Sequence, residues 1–185
     1  MSARLFSFAA GDQGSWTVTA QEAVTGESLP AARALSVLSG PARADEYRWT
    51  LRGITSNERY VERVERDVLV AKQQGLGRPQ STRAVLIPIR KNVEWWALTQ
   101  DERRAVFESR SKHIEIGARY LPTIARRLHH CRDLSPDEPF DFLTWFEFAP
   151  ADESAFDNLL TELRASEEWR YVDREVEIRL TRASV

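Results

Sequence analysis

Residues 171–180 place Val172, Arg174, Val176, Ile178 and Leu180 on one side of an extended chain, with Tyr171, Asp173, Glu175, Glu177 and Arg179 on the other. A period of two suits a strand with one face against a core. Wound into a helix, the same residues would scatter their apolar groups around the axis. Residues 140–148 alternate as well, with Phe140, Phe142, Phe146 and Phe148 expected on one side. Residues 82–90 are apolar throughout from Ala84 to Ile89 and read as an inner strand covered on both faces. Between these strands lie three further signals. Thr99-Gln100-Asp101-Glu102 is a capping box and opens a helix expected to run to about Gly117. Residues 125–131 are short enough for a strand. Ala155, Phe156, Leu159, Leu160 and Leu163 have helical spacing. The order from residue 81 to 185 is therefore β-α-β-β-α-β, a ferredoxin-like α+β arrangement.

The first 80 residues are strand-rich. Trp16, Val18 and Ala20 alternate with Ser15, Thr17, Thr19 and Gln21, and Tyr47, Trp49 and Leu51 with Glu46, Arg48, Thr50 and Arg52. Residues 29–44, with Pro30, Gly40 and Pro41, read as a loop with room for one helical turn. Residues 59–70 fit either a strand or a helix, and Gly75, Gly77 and Pro79 mark a connection. This half reads as a reduced copy of the C-terminal unit, although no sequence repeat shows it. At 185 residues, both halves are expected to share a single domain, 1–185.

Charge and cysteine usage narrow the function. With 26 Lys and Arg against 28 Asp and Glu, the chain has no bulk charge to hold nucleic acid or an anionic membrane. The apolar run 5–10 is interrupted by Ser7 and stopped at Asp12, too short for an export signal, and no stretch is long enough to span a bilayer. A lone Cys131 forms no disulfide within the chain and agrees with a cytoplasmic setting.

Only three histidines are available for nitrogen-based metal chemistry. In a strand, His129 and Cys131 point one way and His130 the other, so Leu128-His129-His130-Cys131 is no zinc site. His113, expected near the end of the Thr99 helix, has two readings. Its cationic form would suit the negative end of a helix dipole, whereas its neutral form could ligate haem iron, for which one axial nitrogen suffices. Arg126 shares a face with Leu128 and His130, opposite Arg127, and is either salt-bridged or set to meet an anion. Glu168 reads as a solvated charge or as a partner to such a site. Lys91, Trp95 and Trp96 either fill core or wall a flat cofactor with a cation for its carboxylates. Gly75-Leu76-Gly77-Arg78 is too short for a phosphate loop, and no Ser/His/Asp or Cys/His set emerges.

Several strings resemble the chlorite dismutase family of haem b proteins. They are Gly26-Glu-Ser-Leu-Pro30, Arg59-Tyr-Val61, Ala71-Lys-Gln73 and Leu86-Ile-Pro-Ile-Arg-Lys91. Trp95-Trp-Ala-Leu-Thr-Gln-Asp-Glu-Arg-Arg104, Ile124-Ala-Arg-Arg-Leu-His-His-Cys-Arg-Asp-Leu134, residues 140–150 and residues 168–180 complete the set. The likeness spans essentially the whole chain and points to the short, dimeric, cytoplasmic branch, with the dimeric α+β barrel as fold. It implies His113 as proximal iron ligand, Glu168 as acceptor of the other imidazole N–H, and Arg126 as the distal arginine. It also implies Lys91, Trp95 and Tyr60 near the haem propionates. Gln73 falls in a distal loop that varies among relatives. The implied reaction cleaves a Cl–O bond of chlorite at ferric haem and recombines the fragments to chloride and dioxygen. A permanent guanidinium at Arg126 would draw in the anion and hold the fragment. The competing readings are a haem sensor or carrier, a coprohaem decarboxylase, and a ferredoxin-like binding module without a cofactor.

Overall fold

A computed structural model describes residues 4–43, 46–55, 61–72 and 75–182. Eight antiparallel strands form a closed barrel in the order β1-β3-β2-β8-β5-β7-β6-β4. The first four are β1 (Leu5–Gly11), β2 (Trp16–Thr25), β3 (Ala34–Ser39) and β4 (Trp49–Ile54). The last four are β5 (Arg83–Lys91), β6 (Ala125–His130), β7 (Phe142–Phe148) and β8 (Val172–Thr181). Read around the barrel, the first four lie in the order β4-β1-β3-β2 and the last four in the order β8-β5-β7-β6. Each set thus has its own first and third strands at its centre, the ferredoxin-like permutation. The apolar run 5–10 is a barrel strand, and residues 29–44 contain β3 in place of the expected loop.

Alternation decides what each face meets. Ala84 and Leu86 point into the barrel, where Trp145 packs edge-on against Trp16 with ring centroids 5.4 Å apart. Val85, Ile87 and Ile89 point outward to a second apolar layer under helix α5 (Glu153–Arg164), which buries Phe156, Leu159, Leu160 and Leu163. The inner strand is therefore covered on both faces, as its unbroken apolar run requires. Phe140 departs from the expected face. It precedes β7 and packs with the interior beneath the Arg174 guanidinium, while Phe146 and Phe148 join the outer layer.

The remaining helices are α1 (Arg63–Lys72), α2 (Val93–Ala97), α3 (Gln100–Arg104) and α4 (His113–Arg119). Residues 59–70 thus belong largely to helix, as far as they are described. The capping box forms, with Glu102 accepting from the Thr99 backbone N–H at 2.8 Å. The helix it opens does not run unbroken to Gly117, however. It widens into a π-helical turn over Ala105–Arg110 and stops at Lys112, whose φ of 53° is left-handed. Glu108 then caps the new helix by accepting from the Ile114 N–H at 2.7 Å. His113 consequently opens α4 instead of closing the Thr99 helix, so the favourable dipole reading for a cationic imidazole is reversed.

The two joints between the strand sets are unequal. β2 and β8 pair from Thr17↔Thr181 to Thr25↔Glu175, whereas among the described residues β4 and β6 meet at Ile54↔His130 alone. At this narrow joint a Cβ on Gly53 would lie 2.7 Å from the His129 Cβ, so only glycine admits the approach. G53A is expected to cost about 1–3 kcal/mol, as overpacking of a tight contact does. Urea unfolding measures this, and an unchanged midpoint would show that the joint yields freely.

Candidate active site

A cavity of about 400 Å³ lies between the outer face of β5, β7 and β6 and helices α4 and α5. Its sheet wall is set by strand register. Ile87, Thr144 and Leu128 form one row, flanked by the pairs Arg126↔Phe146 and His130↔Phe142. The helix wall carries His113, Ile114 and Gly117 from α4 and Leu159, Leu160 and Leu163 from α5. Lys91 and Trp95, at the end of β5 and on α2, close one side with Glu168 and Trp169 from the 3-10 turn Glu167–Tyr171.

Three of these side chains form a buried ionic chain. His113 Nδ1 lies 2.7 Å from Glu168 Oε2, and Lys91 Nζ donates to Glu168 Oε1 at 2.8 Å. The side chains of Lys91 and Glu168 are 3% and 7% exposed, so neither charge is satisfied by water. The Glu168 N–H donates to Ser111 Oγ at 2.8 Å, fixing the turn that carries the carboxylate. Burial alone would raise the Glu168 pKa. The charges of Lys91 and His113 and their hydrogen bonds more than offset this and hold it down to about 2. An ionised carboxylate can only accept, so Nδ1 of His113 carries the proton and Nε2 is the nitrogen left for a metal.

The predicted residues fall as follows. His113, Glu168, Lys91, Trp95 and Arg126 all border this one cavity. Lys91 is expected to face a cofactor carboxylate, but its ammonium is held by Glu168 and lies over the Trp95 ring at 4.6 Å. Arg126 reaches across from β6 until Nη1 lies 3.1 Å from where a Gly117 Cβ would be. Gly117 therefore gives the guanidinium room against the helix wall. Arg127 also borders the cavity, with its guanidinium 3.9 Å from the Phe6 ring centroid and donating to His129 Nε2 at 3.2 Å. Tyr60 and Gln73 lie outside the described residues.

His129 and His130 occupy different surroundings. His129 packs between Phe6 and Phe8 and donates from Nδ1 to Leu143 O at 3.0 Å, and burial pushes its pKa down to about 4. His130 faces the cavity, and burial pushes the Cys131 thiol pKa up. Among the described residues no group of three or more His, Cys, Asp and Glu could hold a metal ion. A site with one oriented imidazole nitrogen and apolar walls fits haem, because the macrocycle brings most of the iron's ligands itself and needs one nitrogen from the protein.

Residues absent from the sequence reading complete the site. Phe107, from the π-helical turn, stacks on the His113 ring at 4.3 Å. Asp141 accepts from the Lys91 backbone N–H at 2.7 Å and from Trp96 Nε1 at 3.3 Å, and so anchors the Lys91–Trp95–Trp96 corner. Only adjacency to Glu168 could have marked Trp169, and nothing in the spacing marks Phe107 or Asp141.

The ionic chain has a measurable consequence. K91M leaves the Glu168 charge buried without its ammonium and is expected to cost about 3–5 kcal/mol. The depressed Glu168 pKa contributes stability that is complete above its ordinary value of 4.5 and is lost as pH falls towards 2. Urea titrations at a series of pH values should show K91M losing stability at higher pH than the parent. Superimposable profiles would mean that Lys91 does not hold the carboxylate ionised.

Comparison with known proteins places the chain in a family. Residues 29–184 match the family described as chlorite dismutase. A stretch of 88 residues, 48% of this chain, is 34% identical to the chlorite dismutase of Ideonella dechloratans and spans 28% of that protein's length. The crystal structure of dimeric chlorite dismutases from Nitrobacter winogradskyi is similar at 53% identity and a TM-score of 0.88, covering 96% of this chain and 99% of that one. Chlorite dismutase from Candidatus Nitrospira defluvii in complex with imidazole, 18% identical, shares the fold at a TM-score of 0.63 over 97% of this chain and 92% of that one. With 156 consecutive residues, 29 to 184, under the family match and the site built as above, the chain belongs to the chlorite dismutase family.

Proposed function

We propose that the protein is a haem b-dependent chlorite O2-lyase, converting chlorite to chloride and dioxygen. One observation carries the reading: a carboxylate-supported imidazole, His113, and a guanidinium, Arg126, enter the same cavity from its helix and sheet walls. His113 would ligate the iron through Nε2, with Glu168 as its supporting acceptor and Lys91 holding that acceptor ionised. Trp95 and Tyr60 would border the haem. Haem b bound there supplies the redox chemistry of oxygen transfer from chlorite.

The chain's own residues do the rest. Arg126 supplies a charge that no pH change removes, so it attracts a small oxyanion and can orient it through paired N–H donors. The same donors would keep the oxyanion fragment in place until the O–O bond forms, sparing Trp95, Trp169 and Phe107 around it. Apolar residues Ile87, Leu128 and Phe146 limit the water that competes for the guanidinium. The near-balanced surface, at −2, is no obstacle, because one placed cation suffices.

The assembly we propose is a homodimer of single 1–185 domains, each with a reduced 1–80 half and an 81–185 half that carries the haem. Repeated strand order and the dimeric relative at 53% identity support it. A cytoplasmic location is supported by the lone, buried Cys131. Among the described residues no helix is long and apolar enough to cross a membrane.

An oxygen electrode trace of haem-loaded protein with chlorite tests the activity. The expected result is one dioxygen and one chloride per chlorite. R126A should keep its haem and lose about 10²-fold in turnover, the scale of removing one charge-stabilising donor. Chlorite consumption without dioxygen, or rapid transfer of haem to an apoprotein, would contradict the reading, as would conversion of coprohaem to haem b.

A further inference from the structure

The break between the Thr99 helix and α4 places one aromatic ring where an unbroken helix could not. Phe107 and His113 are six residues apart, which in a continuous helix sets their Cα atoms about 9 Å apart along the axis and on different faces. Here the two rings stack with centroids 4.3 Å apart and planes 24° apart. The π-helical turn ends with Ser111 N–H donating to Val106 O at 3.1 Å, and left-handed Lys112 turns the chain before His113. A left-handed lysine is strained backbone, and such strain persists only where the surroundings hold it. Trp169 is a second aromatic ring beside the imidazole, nearly parallel to it at 16° and 6.5 Å between centroids. Its own orientation is set by Nε1 donating at 2.8 Å to Glu175, a fully buried carboxylate that also accepts two hydrogen bonds from Arg164.

We infer that Phe107 is a positioning residue: together with Trp169 it clamps the plane of the His113 imidazole, and the helix break exists to deliver it there. A hydrogen bond to Glu168 fixes where Nδ1 lies but leaves the ring able to tilt about that contact. The Phe107 face removes the tilt, because at 4.3 Å between centroids a rotated ring would meet it within its van der Waals surface. The clamp thereby fixes the direction in which Nε2 points. This inference rests on the haem reading for its purpose, but the clamp itself is a property of the chain without haem.

Two measurements on wild type, F107L and F107Y decide it. In the haem-free protein, labelled with 15N-histidine, the His113 Nδ1–H resonance should be sharp in wild type and F107Y and broadened or lost in F107L. With haem b added, F107L should still bind one equivalent. Its iron–histidine stretching band and low-temperature electron paramagnetic resonance should nevertheless broaden or shift, with F107Y restoring the wild-type signature. A residue that only fills space would lower the unfolding temperature and leave these signatures unchanged. F107L spectra superimposable on wild type in both measurements would overturn the inference. If wild type takes up no haem, the haem reading fails, and the haem-free resonance alone decides the clamp.

Discussion

A carboxylate sealed from water at Glu168 is the constraint on which the site depends. An ionised group in such a place is tolerated only when paired and fully hydrogen-bonded. The Glu168 carboxylate finds an ammonium from the end of β5 and an imidazole from the start of α4, while its backbone N–H donates to the Ser111 hydroxyl in the segment between helices. Three pieces of chain far apart in sequence are thereby drawn to one point. Breaking either contact to the carboxylate leaves charge without compensation, so the chain specifies position as well as stability. The histidine so held has one nitrogen committed and one directed elsewhere, which is what a single-point metal ligand needs.

The barrel supplies the fixed wall that faces this arrangement. Because β5 and β7 carry apolar residues on both faces, their outer surface can carry a second apolar layer while the inner surface fills the barrel. Register then fixes the height at which Arg126 stands opposite α4. A strand slip of one residue would exchange Arg126 for Arg127 and turn the guanidinium into the barrel. The narrow joint at Ile54↔His130, with Gly53 against His129, guards against that slip on the strand that carries both arginines.

Much of this was legible in the residues, and the exceptions share a cause. Strands β2, β4, β5, β7 and β8 and helix α5 follow from local periodicity, since each has a face against the core. Strand β3 was hidden between Pro30 and Gly40, where turn residues mask a short strand that exists because β1 and β2 flank it. The helix break at Lys112 carries no glycine or proline and is imposed by Glu108, Ser111 and the stacking of Phe107. Phe140 left its expected face because the strand begins two residues later. At the site, His113, Glu168 and Arg126 were legible through resemblance, yet their spacing showed no reason to meet. Lys91 borders the cavity, but its partnership with Glu168 is a tertiary fact, as are the roles of Asp141 and Trp169.

The central claim is that His113, oriented by Glu168, is the residue through which this cavity holds haem b. Titrating haem b into the haem-free protein and following the visible spectrum tests it most directly, with H113A as the comparison. The account predicts saturation at one haem per chain with a five-coordinate ferric spectrum, and in H113A no stable complex of that kind. Equal affinity and an identical spectrum in H113A would contradict it.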